Sequence, residues 1–207
     1  MEITNWKVHD FIEAIVASGF PMQTTYTAVD FAEAVINLKA GVPDDLEDTK
    51  HYKRMCNLAD TPAGSGHSNF LSGIIVTANI TATVKWWEQF QRYHFKQIVS
   101  SMSTMHRLRA MARTGTLKFN ALTPTEAVES FTEIAKSDSH TDEELAYACP
   151  MGLELTARVV LNYLQLRTQY MQRKHHKLQE WRDYCAWIEK LPYAKELITC
   201  GINDANS

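Results

Sequence analysis

The sequence lacks most signatures that identify a function at sight. Its cysteines, Cys56, Cys149, Cys185 and Cys200, are widely spaced and form no CxxC. That argues against zinc or a disulfide framework and for reduced thiols. HExxH, GxSxG, a P-loop and GxGxxG are all absent, so no common metal, hydrolase or dinucleotide motif directs the reading. There is no long apolar run, so no membrane span is expected. Charge is nearly balanced, with 21 Lys and Arg against 24 Asp and Glu. No basic field therefore favours nucleic acid, and any anion site must be local. The stretch Met1-Glu2-Ile3-Thr4-Asn5-Trp6 has neither the charged nor the apolar region of a signal peptide, and with reduced thiols this predicts a cytoplasmic protein. Internal repeats, heptads and low-complexity tracts are missing too.

What is present suits one globular domain over residues 1–207, with 45% hydrophobic and 22% charged residues. The pattern predicts helices over 7–18, ended by Gly19, and over 28–39, capped by Thr27 with Phe31, Ala34, Val35 and Leu38 on one face. A solvated loop over 40–48, a short basic helix over 49–59 and a turn over 61–66 follow. Residues 72–83 are β-branched and read as a strand, and 84–96 as a helix with Trp86, Phe90 and Tyr93 near one face. Thr123-Pro124-Thr125-Glu126 reads as a helix start with threonine as cap, and Thr141 or Asp142 opens another helix. The longest helix is predicted over 153–172, then one over 177–190 with Trp181, Cys185 and Ile188 inward. The fold class is helix-rich α+β with a small, mainly antiparallel sheet.

Chemistry-bearing residues crowd between Gly66-His67-Ser68-Asn69-Phe70 and Met105-His106, around Trp86-Trp87-Glu88-Gln89-Phe90-Gln91-Arg92-Tyr93-His94. A strand feeding a helix that ends in hydroxyls and cations suits a phosphorylated ligand. Trp86-Trp87 reads most simply as core, and Arg173-Lys174-His175-His176-Lys177 as a solvated cationic patch. Ser100, Ser101 and Ser103 lie near His94 and His106, but no spacing forces a nucleophile–base pair. On the predicted long helix Arg158 and Arg167 point to opposite sides, while Asn162 shares a face with Arg158.

Together these stretches resemble the flavin-dependent thymidylate synthases, the family that methylates dUMP without a cysteine nucleophile. Its pattern has a histidine upstream of a strand, then Q-x-x-R-H-R ending a helix, then S-x-R-Y. Here His67 precedes the strand, Gln89 to His94 end the helix, and Ser103-Thr104-Met105-His106 follow. The family's N-A-R-x-L-x-N-F-L-x-L-R is similar to the run from Thr156-Ala157-Arg158 through Asn162 to Leu166-Arg167, and its H-A-Q-x-E to His175-His176-Lys177-Leu178-Gln179-Glu180. The resemblance covers residues 66–106 and 144–190; the first 60 residues have no counterpart. Departures are Arg92-Tyr93-His94 for R-H-R, Met105-His106 for R-Y, Thr156 for an asparagine, and Tyr147 where an arginine is expected.

The resemblance implies FAD as cofactor, NADPH and methylenetetrahydrofolate as co-substrates, and a homotetramer with sites shared between subunits. It implies nucleotide contacts from Gln89, Ser101, Ser103 and Arg167, with Arg167 and Ser103 catalytic. It implies FAD contacts from His67, Arg92, His94, Arg158, Asn162 and His176, and no metal. The implied reaction is one-carbon transfer to C5 of a deoxypyrimidine monophosphate, dUMP to dTMP. C5 hydroxymethylation and a non-catalytic nucleotide-binding protein are the alternatives. No Pro-Cys-His stretch exists for the cysteine-dependent reaction.

Overall fold

A computed structural model describes residues 1–41, 46–62 and 65–201 of the chain. The loop expected over 40–48 and the turn expected over 61–66 fall partly outside these residues. The fold is helix-rich α+β with a four-stranded, mainly antiparallel sheet in the order β1-β2-β4-β3. The strands are β1 (Glu2–His9), β2 (Ile75–Thr83), β3 (Gln97–Ser101) and β4 (Glu154–Asn162). The described chain forms two compact units, residues 1–5 with 78–159, and residues 6–77 with 160–201.

In the first unit, β2 buries Ala78, Ile80 and Ala82, and β4 buries Ala157 and Val159. The alternation places Asn79 and Thr81 of β2, and Thr156 and Arg158 of β4, on the other face of each strand. Helix α4 (Val84–Phe90) starts where Thr83 accepts a hydrogen bond from the Trp86 backbone N–H (3.2 Å). Trp86, Trp87 and Phe90 pack against one another, as expected of core, and Trp87 Nε1 donates to Leu155 O (3.0 Å). The helix is shorter than the 84–96 expected, because the chain turns after Phe90 and Phe95 takes a φ of 61° that no helix accommodates. Helices α5 (Thr104–Thr114), α6 (Thr125–Lys136) and α7 (Asp142–Ala148) close a second cluster around Leu108, Phe131, Leu145 and Leu153. Thr141 and Glu144 form a reciprocal capping box on α7.

In the second unit, α1 is Phe11–Ala17, α2 Ala28–Gly41 and α3 Lys50–Ala59. Phe31, Ala34, Val35 and Leu38 pack on Ile12 and Val16, and Thr27 Oγ1 accepts from the Asp30 N–H (3.0 Å), both as expected. The 3-10 segment His67–Gly73 leads into β2, and α8 (Tyr163–Arg173), α9 (Gln179–Ile188) and α10 (Ala194–Leu197) complete the unit. Trp181, Cys185 and Ile188 are buried.

Two predicted helices are corrected. The helix over 7–18 is strand until His9, then a left-handed Asp10 (φ 56°), then α1. The long helix over 153–172 is β4 followed by α8. Asn162 ends the strand, accepts from the Gln165 N–H (2.9 Å), and receives that side chain on its own N–H (3.2 Å). The apolar residues Ala157, Val159 and Leu161 recur with period two, the strand repeat.

Candidate functional site

In the first unit, Gln89 is half-buried on the last turn of α4, and Arg92 and His94 are exposed just beyond it. Phe95, beside His94, is 90% exposed. Ser101 ends β3 on the surface, and Ser103 is the N-cap of α5. Cross-strand contacts tie the end of β3 to β4 and β2. The Met102 N–H donates to Thr156 O (3.0 Å), the Thr156 N–H points at Met102 Sδ (3.4 Å), and the Thr81 and Thr156 hydroxyls are hydrogen-bonded (2.7 Å). Next along the same face, Arg158 Nη1 donates to Asn79 Oδ1 (3.1 Å) and Asn5 O (2.8 Å).

The arrangement is a polar sheet face beside a hydroxyl-bearing helix start. The Ser103 side chain makes no capping bond to α5, so its hydroxyl and the first-turn N–H groups are open to an acceptor. An anion with several oxygens satisfies such donors together. Thr81, Asn79 and Thr156 were not among the expected site residues. Their signal is the polar half of two alternating strands, which the predicted helix over 153–172 hides in β4.

The second unit holds the other predicted residues. His67 is exposed and starts the 3-10 segment after Gly66, whose φ of 82° suits glycine. Asn162 has its side-chain oxygen committed to the α8 cap. His176 is half-buried, and its Nδ1 accepts from the Leu178 N–H (3.1 Å), so the neutral ring carries its proton on Nε2. Burial, then the charges of Arg173 and Arg182, hold its pKa below the usual histidine value. His176 lines a shallow cavity of ≈ 560 Å³ with Met171, Gln172, His175 and Lys177.

Arg167, given by the resemblance as a nucleotide contact, is buried on α8. It is 8% exposed, donates through Nη1 to Ala59 O, and through Nη2 to Cys200 O (3.4 Å), with Cys200 Sγ 3.5 Å from Nη1. The guanidinium clasps the end of α3 to the segment after α10. Among the described residues no group of three or more His, Cys, Asp and Glu is placed to hold a metal, and no helix is long and apolar enough to cross a membrane.

No protein-family model matches the sequence, and no curated protein matches it either. Solved structures do. Thymidylate synthase X from Helicobacter pylori, crystallised with FAD and dUMP, is 14% identical with a TM-score of 0.68, covering 98% of this chain and 100% of that one. A second structure of that flavin-dependent enzyme with FAD and dUMP gives 14% and 0.64 over 97% and 99%. The UMP/dUMP methylase PolB from Streptomyces cacaoi, bound with 5-Br dUMP, gives 11% and 0.57 over 97% of both chains. From end to end, this chain has the fold of the flavin-dependent thymidylate synthases.

Proposed function

We propose that the chain binds FAD and a deoxypyrimidine monophosphate and transfers a one-carbon unit to C5 of the base. The specific reaction we propose is dUMP to dTMP, with methylenetetrahydrofolate as carbon donor and NADPH as reductant. Fold alone does not fix a reaction. The observation that carries the reading is the uncommitted Ser103 hydroxyl at the start of α5, at the position the resemblance gives to a nucleotide contact. On this reading Ser101, Ser103 and Gln89 hold the nucleotide, its phosphate taking the hydroxyls and helix N–H groups.

On the same reading a flavin is held by exposed cation and imidazole donors. Arg92 and His94 are exposed cation and imidazole donors beside α4, and His67 and His176 present rings in the second unit. Bound FAD supplies hydride chemistry that no side chain provides. Arg158 and Asn162 then act by positioning: one holds the polar sheet face, the other the start of α8. Arg167 likewise positions α8 and is not required to touch the base. A homotetramer with shared sites belongs to the same reading.

A specific observation favours one second reading, a nucleotide-binding protein without turnover. Arg158 and Arg167, two of the implied cationic contacts, are hydrogen-bonded to this chain's own oxygens. The deciding experiment is titration of the protein with FAD, with and without dUMP, followed by the flavin absorption bands and fluorescence. Saturable FAD binding that dUMP tightens, and that Ser103→Ala uncouples from dUMP, supports the proposal. Absence of FAD binding removes it.

A further inference from the structure

The second unit contains a cavity of ≈ 460 Å³ lined by none of the residues assigned above. It lies in the first 60 residues, which the sequence motifs do not reach although the solved structures cover them. Three aromatic rings form one wall. Phe20 meets Tyr26 edge-on with centroids 5.5 Å apart, and meets Phe31 at 5.7 Å. Phe20 and Tyr26 remain 41% and 61% exposed, so their ring surfaces are available. Lys50, His51 and Arg54, on the first turns of α3, also line the cavity.

Arg54 is built into this lining. Its Nε donates to Ser18 Oγ (3.0 Å), and Nη2 donates to Ile15 O (2.8 Å) and to His51 Nδ1 (3.0 Å). Nη1 has no hydrogen-bond partner among the described residues. The guanidinium lies over Gly19, where an added Cβ would stand 2.9 Å from both Cζ and Nη1. Gly19 has an ordinary φ of −88°, so a larger residue there meets no backbone strain but must displace the Arg54 guanidinium. Because arginine only donates, His51 Nδ1 must accept, which leaves the His51 Nε2–H as a further donor. Burial, then the charges of Arg54 and Lys50, lower the His51 pKa and favour that neutral tautomer. None of Lys50, His51 and Arg54 has an ion pair among the described residues. One carboxylate, Asp30, also lines the cavity.

Exposed aromatic rings and a cluster of cationic and imidazole donors lining one cavity match a flat ring joined to an anion. The cavity volume is in the range of small-molecule sites. We propose that this cavity is a second binding site, independent of the function proposed above, that takes a mononucleotide with its base against Phe20 and Tyr26 and its phosphate on Lys50, His51 and Arg54. The phosphate gains Arg54 Nη1, held in place before binding by the bonds at Nε and Nη2, together with a mobile ammonium.

The test is hydrogen–deuterium exchange of the full chain with uridine, UMP, AMP or inorganic phosphate at millimolar concentration. Either mononucleotide is expected to protect both 20–31 and 49–55, uridine and phosphate neither to the same extent. Arg54→Met removes bonds that hold α1 to α3 and tests folding as much as binding. Lys50→Gln and Tyr26→Ala therefore carry the test, since both side chains are exposed and make no hydrogen bond among the described residues. Each should raise the half-saturating mononucleotide concentration roughly tenfold, the loss of a charged hydrogen bond or of a stacked ring, with an unchanged circular dichroism spectrum. Protection by phosphate equal to that by UMP, no protection by either mononucleotide, or unchanged protection in both variants overturns the proposal.

Discussion

Replacing Arg167 by alanine separates a clasp from a substrate contact. The side chain is 8% exposed and joins α8 to Ala59 O and Cys200 O. Alanine is the better helix former, so α8 itself does not suffer. The carbonyls lose a charged donor, and hydrogen bonds of that kind are each worth about 1.5–3 kcal/mol, so two give a loss of about 3–6 kcal/mol. For a chain of this length roughly 3 °C accompanies each kcal/mol, and Tm should fall by roughly 9–18 °C. Arg167→Lys keeps the charge and one direction of donation and should recover part of the loss. Thermal melts by circular dichroism, with and without FAD and dUMP, measure it. A variant melting within about 2 °C of wild type, yet unable to bind nucleotide, would refute the clasp and return Arg167 to the substrate.

Other outcomes follow from the same geometry. Asn162→Ala removes the side-chain half of the α8 capping box and should cost about 1 kcal/mol in a urea melt, whereas Ser103→Ala, which breaks no cap, should leave the midpoint unchanged. Gly152→Ala places a Cβ 1.9 Å from Thr123 Oγ1 and should lower Tm, and Thr123→Ala in the same chain should restore part of it. Burial pushes Cys149 from 9.0 to about 11 and Cys185 from 9.0 to about 12. The unfolded chain therefore releases these protons first, so stability is intact below pH 9 and declines as pH rises towards 11, and Cys149→Ala should flatten that decline in a series of alkaline melts.

Much of the helical frame was legible because it obeys local rules. The apolar stripe of α2, the Thr27 cap, the Thr141–Glu144 box and the inward face of α9 are each set within a few residues. Thr123 shows how such a rule is overridden. Its hydroxyl lies against Gly152, and Pro124 takes the N-cap position instead. The edge strands were illegible for a different reason. β1 and β3 are mostly exposed, so neither shows the alternation that a buried face imposes. β4 and α8 merged into one predicted helix because apolar residues continue through Asn162, where the period changes from two to that of a helix.

The motif residues were named from the chain, but their commitments were not. Sequence spacing cannot show that Arg158 is held by Asn79 and Asn5, or Arg167 by Ala59 and Cys200, because the partners are far away in the chain. Nor could it show Arg54 seated over Gly19, a packing relation between separate elements.

The central claim is one-carbon transfer to C5 of a deoxypyrimidine monophosphate on this fold. Its most direct test is release of tritium to water from dUMP labelled at C5, in the presence of FAD, NADPH and methylenetetrahydrofolate. The account predicts release that requires all three and falls by roughly a hundredfold in Ser103→Ala, as for loss of one positioned donor. FAD and dUMP binding with no tritium release would contradict the account and leave a nucleotide-binding protein.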